Sequence, residues 1–109
     1  TLFKDLILEG LAVALEETAI ADTNRKNRQF FLKTMQETDE SMVKDITSKL
    51  KDDLDNERYD YNTIFITGNK TLPRWAGYRL GYYLVKKHLE RTGDTINTAT
   101  LASYNNFKA

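Results

Sequence analysis

Glu9 is the only ionisable residue in the stretch Leu6-Ile7-Leu8-Glu9-Gly10-Leu11-Ala12-Val13-Ala14-Leu15, which is otherwise apolar or small. An ionised carboxylate in an apolar surface is costly unless a cation, a set of hydrogen-bond donors or a metal ion compensates it. Within the chain, Arg74 or Arg79 can supply the cation, and the tyrosines around Gly77 and Gly81 (Tyr78, Tyr82 and Tyr83) can supply the donors. His88 is the only histidine, so any histidine-dependent metal site or Ser-His-Asp arrangement built wholly within these residues would rest on it. It stands among Lys86, Lys87 and Arg91 at a helix end and reads as a surface residue. The sequence contains no H-E-x-x-H, phosphate loop or dinucleotide fingerprint. Asp52, Asp53 and Asp55 lack the glycine and downstream glutamate of a calcium loop.

The elements that must position Glu9 are helical. Leu2 to Thr18 has no proline, many strong helix formers and apolar residues around most of its circumference, the pattern of a helix buried between others. Ala19 to Asn27 reads as a connection, with Asp22 or Thr23 as a cap for an amphipathic helix through Phe30, Phe31, Leu32 and Met35. Met42, Val43, Ile46, Leu50 and Leu54 recur at three- and four-residue spacing and predict a one-sided helix from Glu40 to Asn56. Ile64-Phe65-Ile66 is β-prone and reads as a short extended segment. A second strong helix is expected from Pro73, suited to a first helical turn, to about Arg91. A last short helix would hold Ile96, Leu101 and Tyr104. Gly77 and Gly81 together cost about 2 kcal/mol of helix propensity against alanine, which predicts a close helix crossing with Gly10 as the counterpart. The fold class is therefore all-α, with four to five helices in a single helical domain or subdomain over residues 1–109.

Composition narrows the function classes. Sixteen basic and sixteen acidic residues give no net charge, which argues against nucleic acid or an anionic membrane held by bulk charge. There is no cysteine for a disulfide or thiolate site. The longest apolar run is about half of a membrane span, and nothing reads as a signal peptide. Helix-forming sequence begins directly at Thr1, which predicts a piece of a longer protein. Such a piece would expose apolar helix faces and self-associate as a homo-oligomer.

Two blocks carry a family resemblance. Leu6-Ile7-Leu8-Glu9-Gly10-Leu11-Ala12 resembles the (I/V)-x-E-G-L-A block of the YjaZ-like family of predicted bacterial zinc-dependent proteases, and the E-G-(F/L)-A block of gluzincin peptidases generally. Leu72-Pro73-Arg74-Trp75-Ala76-Gly77-Tyr78-Arg79-Leu80-Gly81-Tyr82-Tyr83-Leu84-Val85 resembles that family's P-R-x-x-G-Y-x-I-G-Y-x-x-V block and, more distantly, a stretch of GldB-type gliding-motility lipoproteins.

The resemblance implies the C-terminal half of a gluzincin-like metallopeptidase domain, from the cytoplasm or cell envelope of a bacterium. An upstream H-E-x-x-H helix would supply two zinc ligands and the general base, and Glu9 would be the third ligand. Zinc with three protein ligands keeps a position for the water that attacks a peptide carbonyl. Arg74, Tyr78 and Tyr82 would be accessory residues near a peptide or protein substrate. These residues alone would neither hold zinc tightly nor hydrolyse peptides. The competing expectation is a non-catalytic helical interaction or structural module of metallopeptidase-like ancestry.

Overall fold

The computed structural model describes residues 1–19 and 26–92. Four α-helices are present among them: α1 (Leu2–Ala19), α2 (Lys26–Gln36), α3 (Glu40–Leu50) and α4 (Ala76–Thr92). A 3-10 turn, Lys51–Asp53, follows α3, and a π-helical segment, Asn62–Thr67, precedes α4. No strand occurs among the described residues. The expected cap at Asp22 or Thr23 and the short helix through Ile96, Leu101 and Tyr104 lie outside them.

α1 is the central element. Leu2 and Leu6 pack with Ile46, Phe65, Ala76 and Leu80 in one cluster. Phe3, Ile7, Leu11 and Ala14 enclose Val85 in a second, and Val13 joins Phe31, Leu32, Met35 and Tyr82 in a third. This is why its apolar residues run around most of the wheel: three layers bury it from different sides. The remaining side is open, with Leu8 49% and Leu15 47% exposed and Ala12 exposed between them.

α1 and α4 cross at backbone contact. A Cβ on Gly81 would lie 2.1 Å from the Leu6 carbonyl oxygen, and one on Gly10 would lie 2.3 Å from the Gly81 carbonyl oxygen. The expected pairing of Gly10 and Gly81 is therefore present. Gly77 has a different reason: a Cβ there would meet the ring of Phe65 at 2.6 Å. It is the seat for a buried phenyl group rather than part of the helix crossing.

Three local expectations are corrected. Ile64-Phe65-Ile66 is π-helical, not extended. Asp60 accepts hydrogen bonds from the Thr63 amide (3.1 Å) and hydroxyl (2.7 Å), which nucleates a turn. The Gly68 amide then closes on Thr63 at 2.9 Å, and adjacent Ile64 and Phe65 are both buried. A cap and a two-sided burial demand outweigh β propensity. The helix expected to run to Asn56 ends as α at Leu50 and tightens into the 3-10 turn. Its start is as the pattern implies, with Asp39 capping the Met42 amide at 2.8 Å.

The helix expected from Pro73 starts at Ala76. Trp75 precedes it in the left-handed region, at φ 62°, with its amide donating to the Ile66 carbonyl at 3.2 Å. That conformation breaks the helical path between Pro73 and Ala76.

His88 is also corrected, being 6% exposed rather than on the surface. It continues the inward stripe of Gly81 and Val85 at helical spacing, and Arg91 Nη2 lies 3.4 Å from its Nδ1.

Candidate functional site

A cleft of about 610 Å³ opens beside the crossing, lined by Glu9, Ala12, Val13 and Glu16 of α1, Phe30 and Phe31 of α2, and Ile66, Arg74, Trp75 and Tyr78. Its floor is the face of the central helix next to that open side, with Ala12 common to both, and its far wall is aromatic. Phe31 meets Trp75 edge-on at 4.8 Å between centroids and Tyr78 at 5.4 Å. Phe30 is 61% exposed and approaches Trp75 at 6.2 Å.

Glu9 is half-buried at this cleft. The crossing sets its neighbours, because Gly10 lies against Gly81 and so brings Glu9 to Tyr78, one turn before Gly81 on α4. Burial chiefly, then the hydrogen bond with Tyr61, and also the charge and hydrogen bonding of Glu9, hold the Tyr78 hydroxyl protonated well above its ordinary range. Tyr78 therefore stays a donor at any physiological pH. Its hydroxyl is 3.2 Å from that of Tyr61. The Tyr61 ring is stacked on Phe65 at 4.5 Å, and Phe65 rests on the space left by Gly77. A chain of contacts thus runs from Gly77 through Phe65 and Tyr61 to Tyr78 and Glu9. Tyr61 and Phe65 were not singled out by sequence pattern, since an aromatic in a short β-prone run carries no sign of its partner.

Arg74 lines the same cleft, but it is not Glu9's counter-ion: among the described residues no ion pair links Glu9 to Arg74 or Arg79. The Arg74 guanidinium lies over the Trp75 ring with its carbon 4.2 Å from the centroid. Arg79 faces elsewhere, its Nε donating to the Arg74 carbonyl at 2.7 Å and its Nη1 contacting the Met42 sulfur at 3.2 Å. The reading in which Glu9 is neutralised by a buried arginine is thereby set aside.

Tyr82 is placed away from the cleft. Its hydroxyl donates to Glu17 at 2.5 Å, and Glu17 also accepts from Gln36 (2.7 Å) and Lys86 (3.1 Å). Burial opposes ionisation of Glu17 most strongly, but the hydrogen bonds from Tyr82, Gln36 and Lys86 and the charge of Lys86 together bring its pKa below the ordinary value.

Comparison with known families decides the affiliation. The family described as Predicted Zn-dependent protease (DUF2268) matches residues 1–109. The chain belongs to that family. No curated protein and no solved structure matches it.

The family's name implies zinc, and the residues present can be tested against that ion. Zinc in a catalytic site takes three protein ligands with nitrogen, sulfur or oxygen donors. Among the described residues no group of three or more His, Cys, Asp or Glu side chains converges. Glu9 has the donor chemistry and the open setting of one ligand, but these residues do not fit a whole site. No described helix is long and apolar enough to cross a membrane.

Proposed function

We propose that this chain is the part of a gluzincin-like, YjaZ-like zinc peptidase domain that contributes the third zinc ligand, Glu9, and one wall of the cleft that receives a peptide or protein substrate. The histidine ligands and general base would come from an H-E-x-x-H helix elsewhere in the protein, and these residues alone would be inactive. The observation that carries the reading is the setting of Glu9. It sits on the central helix α1, yet its carboxylate meets an open cleft, a tyrosine donor and, among the described residues, no cation. When bound, the metal would supply the missing positive charge and activate water for attack on a peptide carbonyl. Tyr78, fixed as a donor, would orient the ligand carboxylate in the way second-layer partners do at zinc sites.

The test uses a longer form of the protein that carries the H-E-x-x-H segment. It should bind one zinc per chain, and Glu9→Gln should weaken zinc affinity by about 100-fold or more, read by competition with a chromophoric chelator. Unchanged affinity in that variant would remove Glu9 from the ligand set.

A second reading, a helical interaction module that has lost catalysis, is favoured by exposed Leu8, Leu15 and Phe30. Such a surface also supports self-association. The longer form would then fold and associate without retaining zinc through dialysis.

A further inference from the structure

Arg74 is held in a way that its surroundings do not require. It lines a cleft together with two carboxylates, Glu9 and Glu16, and yet among the described residues no ion pair reaches it. Five lysines are paired instead: Lys44, Lys49 and Lys87 each with a carboxylate on their own helix, Lys33 with Glu37 just beyond the end of α2, and Lys86 with Glu17 across helices.

What holds Arg74 is Trp75. The guanidinium carbon lies 4.2 Å above the indole centroid, and Trp75 is fixed by Phe31 edge-on at 4.8 Å and by a backbone hydrogen bond to Ile66. The Arg74 carbonyl is held by Arg79. Trp75 has φ 62°, a strained conformation for a bulky residue, of a kind that concentrates at ligand-binding sites. A guanidinium stacked on a ring uses its face for the stack and keeps its in-plane N–H donors, whose fork matches a carboxylate.

Resting on the peptidase reading of the cleft, we infer that Arg74 is a pre-positioned anchor for a carboxylate of the peptide substrate. The ligand chemistry is a carboxylate within reach of the Glu9 cleft, whether the C-terminal α-carboxylate or an acidic side chain. Pre-positioning matters because a free arginine loses side-chain entropy on binding, whereas a stacked one has already lost most of it. With Glu9 engaged by a metal, Arg74 would be the cation left to receive the anionic end of the peptide.

The experiment needs no metal, so its outcome is separate from that of the zinc measurement. Three short peptides of common apolar sequence are titrated into the 109-residue chain: one with a free C-terminal carboxylate, one amidated, and one amidated with an internal glutamate. The readouts are the NMR signals of the Arg74 Nε–H and the Trp75 indole N–H. At least one carboxylate peptide should shift both signals and bind about tenfold more tightly than the amidated apolar peptide. Arg74→Gln should abolish that difference, and Arg74→Lys should restore only part of it, because it keeps the charge and loses the fork. Glu9→Gln should tighten binding by removing a like charge from the cleft. The peptide that responds identifies the source of the carboxylate. Equal binding of all three peptides, no binding of any, or an Arg74→Gln chain that still discriminates overturns the proposal.

Discussion

α1 carries two carboxylates eight residues apart, each beside a tyrosine of α4, and they have opposite fates. Glu17 meets the Tyr82 hydroxyl, a glutamine and a lysine, so donors and a cation from two other helices satisfy it. Glu9 meets the Tyr78 hydroxyl and opens to a cleft whose lining arginine, Arg74, is stacked on tryptophan instead. The Gly10–Gly81 contact lies between the two pairs and fixes both. The contrast separates a carboxylate that ties helices together from one whose compensation is incomplete. A half-buried carboxylate of the second kind leaves room for a ligand that completes its environment.

The comparison is broken most completely at its shared hinge. Gly81→Ala places a methyl group 2.1 Å from the Leu6 carbonyl oxygen. Both groups in that contact are helical backbone, so no rotamer can relieve it. Alanine gains about 1 kcal/mol of helix propensity over glycine, but forcing the helices apart should cost more. The expected net loss is about 3 kcal/mol, toward the upper end of the overpacking range, measured by urea denaturation. Both tyrosine–glutamate pairs should separate together. A stable Gly81→Ala protein would mean that α1 and α4 do not cross here at contact distance.

The Glu17 side is sharpened by Tyr82→Phe, which removes one donor to a partly buried charge and should cost about 1–2 kcal/mol at neutral pH. The pH dependence follows from the direction of the shift. The folded-state pKa of Glu17 is lowered from 4.5, so its contribution is fully present above that value and is lost as the pH falls through the lower folded-state value. The stability gap between the native chain and Glu17→Gln should therefore be largest near neutrality and shrink as the pH falls below 4.5. A gap that grows on acidification would contradict the network.

Much of this arrangement is legible in residue types. The all-round apolar character of Leu2–Thr18 announces a central helix, and two separated helical glycines announce a close crossing. Both follow from periodicity and from the cost of glycine. Glu9 stands out for the same kind of reason, as a charge where the pattern calls for an apolar or small residue. What could not be read was tertiary. Gly77 and Gly81 look equivalent in sequence, but one receives a helix and the other the ring of Phe65, a residue that pattern assigns to a strand. Tyr78 and Tyr82 are likewise equivalent on paper, and one turn of α4 sends them to different carboxylates. Trp75 is the plainest case: a tryptophan two residues after a proline gives no sequence signal of a left-handed backbone, yet that conformation sets where α4 begins and where Arg74 rests.

The smallest expected stability effect belongs to the residue of greatest functional interest. Glu9→Gln keeps the shape and an acceptor for the Tyr78 hydroxyl while removing a charge that no cation neutralises within the described residues. For the 109-residue chain the change in stability should be under about 0.5 kcal/mol, and a slight gain fits the same account, since relief of burial offsets a weakened hydrogen bond. The same substitution at Glu17 takes the charge out of three hydrogen bonds, one of which is also the ion pair with Lys86, and should cost measurably more. Urea midpoints of the two variants at neutral pH make the comparison directly. If Glu9→Gln proves the more destabilising of the two, Glu9 is itself a structural tie, and the assignment of its carboxylate to a ligand loses its basis.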